Sequence, residues 1–378
     1  MSEAAFAVLL TALLAWAAHA VPRGVSSGPD LAAIDAHVEA TMRADRVPGA
    51  ALVIVNPERV VHLRGFGQDG RGGAVTPQTS FLLGSMSKSF TALAVMQLVE
   101  QGRVDLKAPV RRYLPWFRVA DPEASEAITV AQALAHTTGI PTRAPRAGEP
   151  ATLEDQVRAL SRVHLSHPPG TRYEYASPNY LILGAIVERV SGQTYGDFLR
   201  RNVFTPLNMN RSFTSQDAAW RSGMSSGHRY WLGFPAPVLL PYEADRLPTA
   251  AIISSAGDLG HYLIAQLSGG RYAERRVLSA AGVAQMHRGT VAAPGENFRY
   301  AMGWREGPVR GVPAIHHGGI LPHFRGKMVL LRETGWGVAV LTNVSSVLPL
   351  VPTSHRMADD IAASLVGVPL PGPSRLFQ

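Results

Sequence analysis

The chain has 378 residues, 46% of them hydrophobic and 17% charged, with a formal net charge of +8 at pH 7. It contains no cysteine, which excludes disulfides, thiolate metal sites, a cysteine nucleophile and an acylated N-terminal cysteine. Its basic residues are scattered in ones and twos, with no Lys/Arg block and no basic–aromatic stripe, so nucleic acid is excluded as a partner, while a loose attraction to an anionic envelope is allowed.

The pattern suits one large domain or two. Phe6 to Ala18 is an apolar run, and Ala18-His19-Ala20 has the form of a small-x-small cleavage site. The expectation is an export signal over 1–20, a linker over 21–30, and one domain over 31–378. The protein would then be exported, periplasmic or secreted. Met1 to Ala5 carries Glu3 and no Lys or Arg, so an uncleaved membrane anchor and a buried N-terminal helix are the alternatives.

Leu31 to Arg43 has Leu31, Ile34, Val38 and Met42 on one helical stripe, and Pro48-Gly49 ends it. Ala50–Val55 and Val60–Phe66 read as strands of an antiparallel hairpin. The next helix begins near Ser85, runs through Phe90, Leu93, Val95, Met96, Leu98 and Val99, and stops at Gly102. From there to about residue 245 the chain is helical segments and Pro/Gly-rich loops, including a helix over Asn179–Val190 ended by Gly192. Strands return with Ala314–His316, then Lys327–Leu331 paired with Trp336–Thr342, and a last helix spans about Ser354–Val366. Strands at both chain ends around a helical insertion imply an α+β fold. One antiparallel sheet is built from both ends and flanked by helices.

Three clusters carry chemistry. Ser85 and Lys88 stand three residues apart, on one helical face and within reach of each other. A serine hydroxyl needs a base. Lysine occurs only at Lys88, Lys107 and Lys327, so arginine supplies the other 33 of 36 basic residues. In such a chain a lysine at this slot suggests a group that must lose its proton, which arginine cannot do. The bland alternative is a solvent-facing Ser and Lys at the start of a core helix. Tyr175-Ala176-Ser177 precedes the second long helix. Ser177 fits there as an ordinary N-cap ahead of Pro178, and Tyr175 as a phenol able to handle a proton beside a lysine. The third cluster is His316-His317-Gly318-Gly319, with His323 beyond. Three histidines invite a metal, but no Asp or Glu sits among them and the spacing matches no familiar ligand pattern, so no metal or cofactor is expected. Gly223-Met224-Ser225-Ser226-Gly227 spells G-x-S-x-G, yet it lacks the strand before and helix after that this motif requires.

Together these residues resemble the serine β-lactamase and penicillin-binding-protein superfamily, most of all its branch of class C β-lactamases, D,D-peptidases and family VIII esterases. The family's S-x-x-K is matched by Ser85 and Lys88. Its Y-x-N is matched by Tyr175-Ala176-Ser177, with Ser in place of Asn. Its K-T-G or H-x-G is matched by His317-Gly318-Gly319 or, in the other register, by His316-His317-Gly318. The runs Met96–Pro115, Ala133–Pro141 and Ser254–Leu259 are also similar, and the likeness extends from about Leu31 to Val366. The resemblance implies Ser85 as nucleophile, Lys88 and Tyr175 as the proton-handling pair, and His317, Gly318, Gly319 and Ser177 lining the substrate site. It implies an oxyanion held by the Ser85 and Ile320 N–H groups. The substrate would be a small ester, amide or peptide. Ser177 and His317 depart from Asn and Lys, which argues for an esterase or peptidase rather than an efficient β-lactamase. The rival reading is a catalytically idle envelope or scaffold protein on the same fold. Oligomeric state is not legible.

Overall fold

The computed structural model describes residues 28–148, 151–239, 242–344 and 352–372. The expected export segment and cleavage site, and most of the linker, lie outside the described residues. Backbone contacts divide the chain into Met1–Asp30 and Leu31–Gln378, and every described helix and strand belongs to the second. Among the described residues no helix is long and apolar enough to cross a membrane.

Eight strands form the main sheet. They are β1 (Gly49–Val55), β2 (Val60–Gly67), β3 (Val291–Ala292), β4 (Arg299–Tyr300), β5 (Arg305–Val309), β6 (Val312–Leu321), β7 (Phe324–Leu331) and β8 (Trp336–Thr342). Their spatial order is β2-β1-β8-β7-β6-β5-β4-β3. The neighbouring pairs are antiparallel, and Ala50 to Val55 of β1 pair with Thr342 back to Gly337 of β8. Strands from the two ends of the chain therefore pair within one sheet, as the layout of elements implied.

The longer helices are α1 (Leu31–Ala44), α2 (Ser87–Glu100), α3 (Pro178–Ser191), α4 (Ala256–Leu267) and α5 (Thr353–Ser364). Side chains alternate across a strand. Leu52 and Ile54 of β1 join Val338 and Val340 of β8 in packing on Ile34, Val38 and Met42 of α1 and on Met357 and Ile361 of α5. Ala51, Val53, Ala339 and Leu341 face the other way, into a larger core with Leu259 and Leu263 of α4 and Phe90 and Leu93 of α2. Coverage on both faces is why β1 reads Gly-Ala-Ala-Leu-Val-Ile-Val with no polar residue and is buried throughout.

Two elements differ from the sequence expectation. The strand expected to end at His316 runs on to Leu321, straight through Gly318 and Gly319. The reason is close packing: a side chain at Gly318 would enter the His355 ring of α5, and one at Gly319 would overlap the Leu83 carbonyl. In the region 85–245 helices outnumber strands, and it also carries a hairpin, Gly227–Trp231 with Phe234–Val238. Its Pro235 and Pro237 conceal it from a strand pattern.

Candidate active site

The site forms where three elements converge on the N-terminal end of α2. Gly84–Met86 is a 3₁₀ turn leading into that helix. Gly84 has φ +56°, and a Cβ there would come within 2.8 Å of the Ile320 nitrogen. Only glycine meets both demands, so this turn and β6 lie in contact. Neither N-cap residue, Leu83 of the turn nor Met86 of α2, caps a backbone N–H through its side chain. The Ser85 hydroxyl is 3.2 Å from Lys88 Nζ.

Lys88 is fully buried in the wall of α2. Its Nζ donates to the Thr249 carbonyl at 3.0 Å and lies 3.5 Å from Ser177 Oγ. It stands 5.0 Å from the Tyr175 ring centre and 5.7 Å from that of Tyr180. Burial pushes its ammonium below the ordinary lysine range. The Tyr175 phenol, hydrogen-bonded to it, opposes that shift, and Arg246 and Arg305 add to it. Lys88 is thus a buried cation whose proton is held less tightly than that of an exposed lysine.

Ser177 occupies the N-cap position ahead of Pro178, but its backbone is already helical (φ −57°, ψ −36°) and its hydroxyl makes no cap bond. The expected cap is therefore absent, and the hydroxyl points toward Lys88. Tyr175 is fixed from behind by His136, a residue the sequence reading did not single out. His136 is buried with φ +56°, and its ring centre lies 4.4 Å from that of Tyr175. The Ala176 N–H donates to His136 Nδ1 at 3.2 Å, and the Glu174 N–H donates to the His136 carbonyl at 2.9 Å. Both ends of the Tyr175 segment are thereby held to one residue. Burial keeps His136 well below the usual imidazole range, so it serves as a neutral acceptor.

Of the two adjacent histidines, His317 faces the site, with its ring centre 6.4 Å from that of Tyr175. His316 points away, into a cavity of about 500 Å³ lined also by Arg305, Lys327 and Asp359. The site-facing histidine is thus His317, two residues before Gly319, which with Ile320 packs on the α2 turn. His317 is fully buried, and burial holds it well below the usual imidazole range, with Arg305 and Lys88 pushing the same way. A carbonyl only accepts, so His317 Nδ1 donates to the Gly318 oxygen at 2.8 Å. Its Nε2 then accepts from the Tyr300 hydroxyl at 3.3 Å. Tyr300 is the second residue the sequence reading missed, and burial keeps it a neutral phenol, well above the ordinary range. The neutral His317 has no donor left for a substrate. His323 sits elsewhere, against Gly227.

Ser225 of the G-x-S-x-G sequence is buried, accepts from Asn343 Nδ2 at 3.0 Å and lies 2.9 Å from the Asp69 carbonyl. A strand, not a helix, follows it. It ties the hairpin root to the sheet.

The family model described as Beta-lactamase matches residues 34–361. Penicillin-binding protein 4 of Amycolatopsis lactamdurans is 34% identical over 340 residues, covering 86% of this chain and 87% of its own. Protein flp of Staphylococcus aureus is 28% identical over 83% of this chain, which spans only 63% of that relative. Among solved structures, the octameric penicillin-binding protein homologue from Pyrococcus abyssi aligns over 89% of this chain and 78% of its own, with a TM-score of 0.76 and 27% identity. EstCE1, a hydrolase with promiscuous acyltransferase activity, aligns over 89% of this chain and 99% of its own, with a TM-score of 0.75. At 20% identity it speaks to the fold alone.

Proposed function

The chain belongs to the beta-lactamase family of serine hydrolases, and from that premise we propose that it cleaves a small ester or amide through an acyl-Ser85 intermediate, with a preference for substrates that lack a carboxylate beside the scissile bond. The observation that carries the reading is the 3.2 Å contact between Ser85 Oγ and the fully buried Lys88 Nζ. Ser85 Oγ attacks the carbonyl carbon while its proton passes to Lys88. The oxyanion gathers charge against the N–H groups of Ser85 and Ile320. The proton returns through Lys88 and Tyr175 to the leaving group, whose bond to carbon breaks. Water then attacks the acyl carbon, gives its proton to the same pair, and releases the acid and free Ser85.

Substrate preference follows from His317. A lysine at this position would offer a permanent cation. The neutral His317 spends both nitrogens, one on the Gly318 carbonyl and one on Tyr300. Ser177 is also too short to reproduce the amide contacts of an asparagine. The test is one purified sample assayed against short-chain p-nitrophenyl esters, D-amino-acid amides and a chromogenic cephalosporin. Ester turnover with slow or absent cephalosporin turnover supports the reading. Cephalosporin hydrolysis with kcat/KM near ~10⁶ M⁻¹s⁻¹, in the usual enzyme range, overturns it.

A further inference from the structure

Six large apolar side chains are exposed among the described residues, and four lie on one nine-residue stretch: Trp231 (62% exposed), Leu232 (87%), Phe234 (68%) and Leu239 (62%). The first three form the tip of the Gly227–Trp231/Phe234–Val238 hairpin, where Trp231 pairs with Phe234 across the turn. The turn residues are Leu232 (φ +50°) and Gly233 (φ +81°). Successive positive φ values make this the hairpin turn in which Asn or Asp is the favoured first residue. A leucine there bears backbone strain, and at 87% exposure its side chain returns nothing to the core.

The surroundings of the tip carry more arginine than acid: Phe234 and Pro235 share a groove with Arg43, Arg46, Arg64 and Glu39. Residues Gly227 to Leu239 include Arg229 and no Asp or Glu. The Arg229 guanidinium lies 5.5 Å from the Trp231 ring centre. That of Arg46 lies 5.4 Å from the Phe234 ring centre and donates to the Gly233 carbonyl at 2.7 Å. Apolar and aromatic groups at a tip, ringed by arginines, match the chemistry of a bilayer interface. There the rings sit at headgroup depth and the guanidiniums meet phosphate. Two other occupants fit less well. A second copy would bring Arg46 and Arg229 against their own equivalents. Strand addition to the Phe234–Val238 edge is blocked by Pro235 and Pro237.

We propose that this hairpin is a membrane-interfacial anchor, with Trp231, Leu232 and Phe234 entering the headgroup region of an anionic phospholipid surface and Arg46 and Arg229 pairing with its phosphates. It is separate from the Ser85 site and independent of the activity proposed there. The hairpin is fastened by the His228 ring on the Asn343 carbonyl just past β8 and by the Tyr230 hydroxyl on the Asp45 carbonyl just past α1.

The experiment uses the full chain and vesicles of phosphatidylglycerol and phosphatidylcholine in equal parts, with and without brominated acyl chains, and vesicles of phosphatidylcholine alone. Expected is tryptophan quenching by the brominated anionic vesicles that is largely lost in Trp231→Phe. Binding should weaken at least about tenfold when Trp231, Leu232 and Phe234 are all replaced by serine, and fall as salt is raised. Ester hydrolysis in solution should be unchanged in these variants, which shows that they fold. Quenching equal in wild type and Trp231→Phe would overturn the proposal, as would equal binding to the two vesicle types. So would a lipid-free dimer in sedimentation velocity that the serine variant abolishes, since the tip would then be covered by a second copy.

Discussion

At the scale of single residues the proposed chemistry turns on Lys88. Its ammonium is disfavoured by burial, so the folded chain gives up that proton at a lower pH than the unfolded chain does. Between the lowered folded value and the 10.5 of a free lysine, the unfolded state binds more protons, and stability rises with pH. Denaturant titrations should show the wild type gaining on Lys88→Met as pH is raised from neutral toward 10. A flat difference would mean that Lys88 titrates as an ordinary lysine. The same shift predicts kcat/KM falling on the acid side as Lys88 gains its proton. Tyr175→Phe and Lys88→Ala should each lower kcat about 10²-fold or more, the scale of general acid–base catalysis, and the double variant should lose much less than the product. Near-wild-type rates in either single variant would remove that pair from the mechanism. Exchanging His317→Lys together with Ser177→Asn restores a cation and an amide. It should move preference about tenfold toward substrates bearing a carboxylate, the scale of one charge-assisted contact. Unchanged preference would show that these positions do not read that group.

Among the elements, the contact between β6 and the turn before α2 positions everything else. A methyl at Gly319 would overlap the Leu83 carbonyl and push β6 off Ser85. Gly319→Ala should therefore lower kcat about 10²-fold or more, as removal of an oxyanion donor does, with the unfolding midpoint also reduced. Unchanged kcat would mean that β6 does not hold the reacting carbonyl. This element also shows where sequence reasoning stops. Ser85, Lys88 and Tyr175 are visible because each stands beside a helix start whose period and punctuation can be read locally. The buried strands β1 and β8 are visible because both faces are apolar. The extension of β6 is not, since two glycines read as a turn until His355 and Leu83 are seen to crowd them. Tyr300 and His136 carry no local signal. Tyr300 reaches His317 only through the pairing of β4, β5 and β6. His136 reaches Tyr175 through a left-handed backbone position that the sequence does not announce. The hairpin at Gly227–Val238 is hidden by its prolines.

On the scale of the whole molecule, the sheet closed from both chain ends leaves several imidazoles in dry surroundings. Burial holds His136, His316 and His317 well below the free value of 6.5, and brings His287 and His355 down to about 3. Below pH 6.5 the unfolded chain takes up these protons and the folded chain does not, so stability falls as pH drops from 6.5 toward 3. Glu188, Asp258 and Asp359, held above the usual carboxylate range by burial, act in the opposite sense but are fewer. Thermal unfolding followed across pH should show the midpoint dropping below pH 6.5, and a midpoint constant down to pH 4 would contradict the neutral imidazoles. The contact of Lys88 with Ser85 leads to one consequence, acylation of Ser85. The most direct measurement is intact-mass and peptide-mass analysis after exposure to a fluorophosphonate probe. One adduct is expected, on the peptide carrying Ser85, absent from Ser85→Ala and retained in Ser225→Ala. An adduct on Ser225, or equal labelling of Ser85→Ala and wild type, would contradict it.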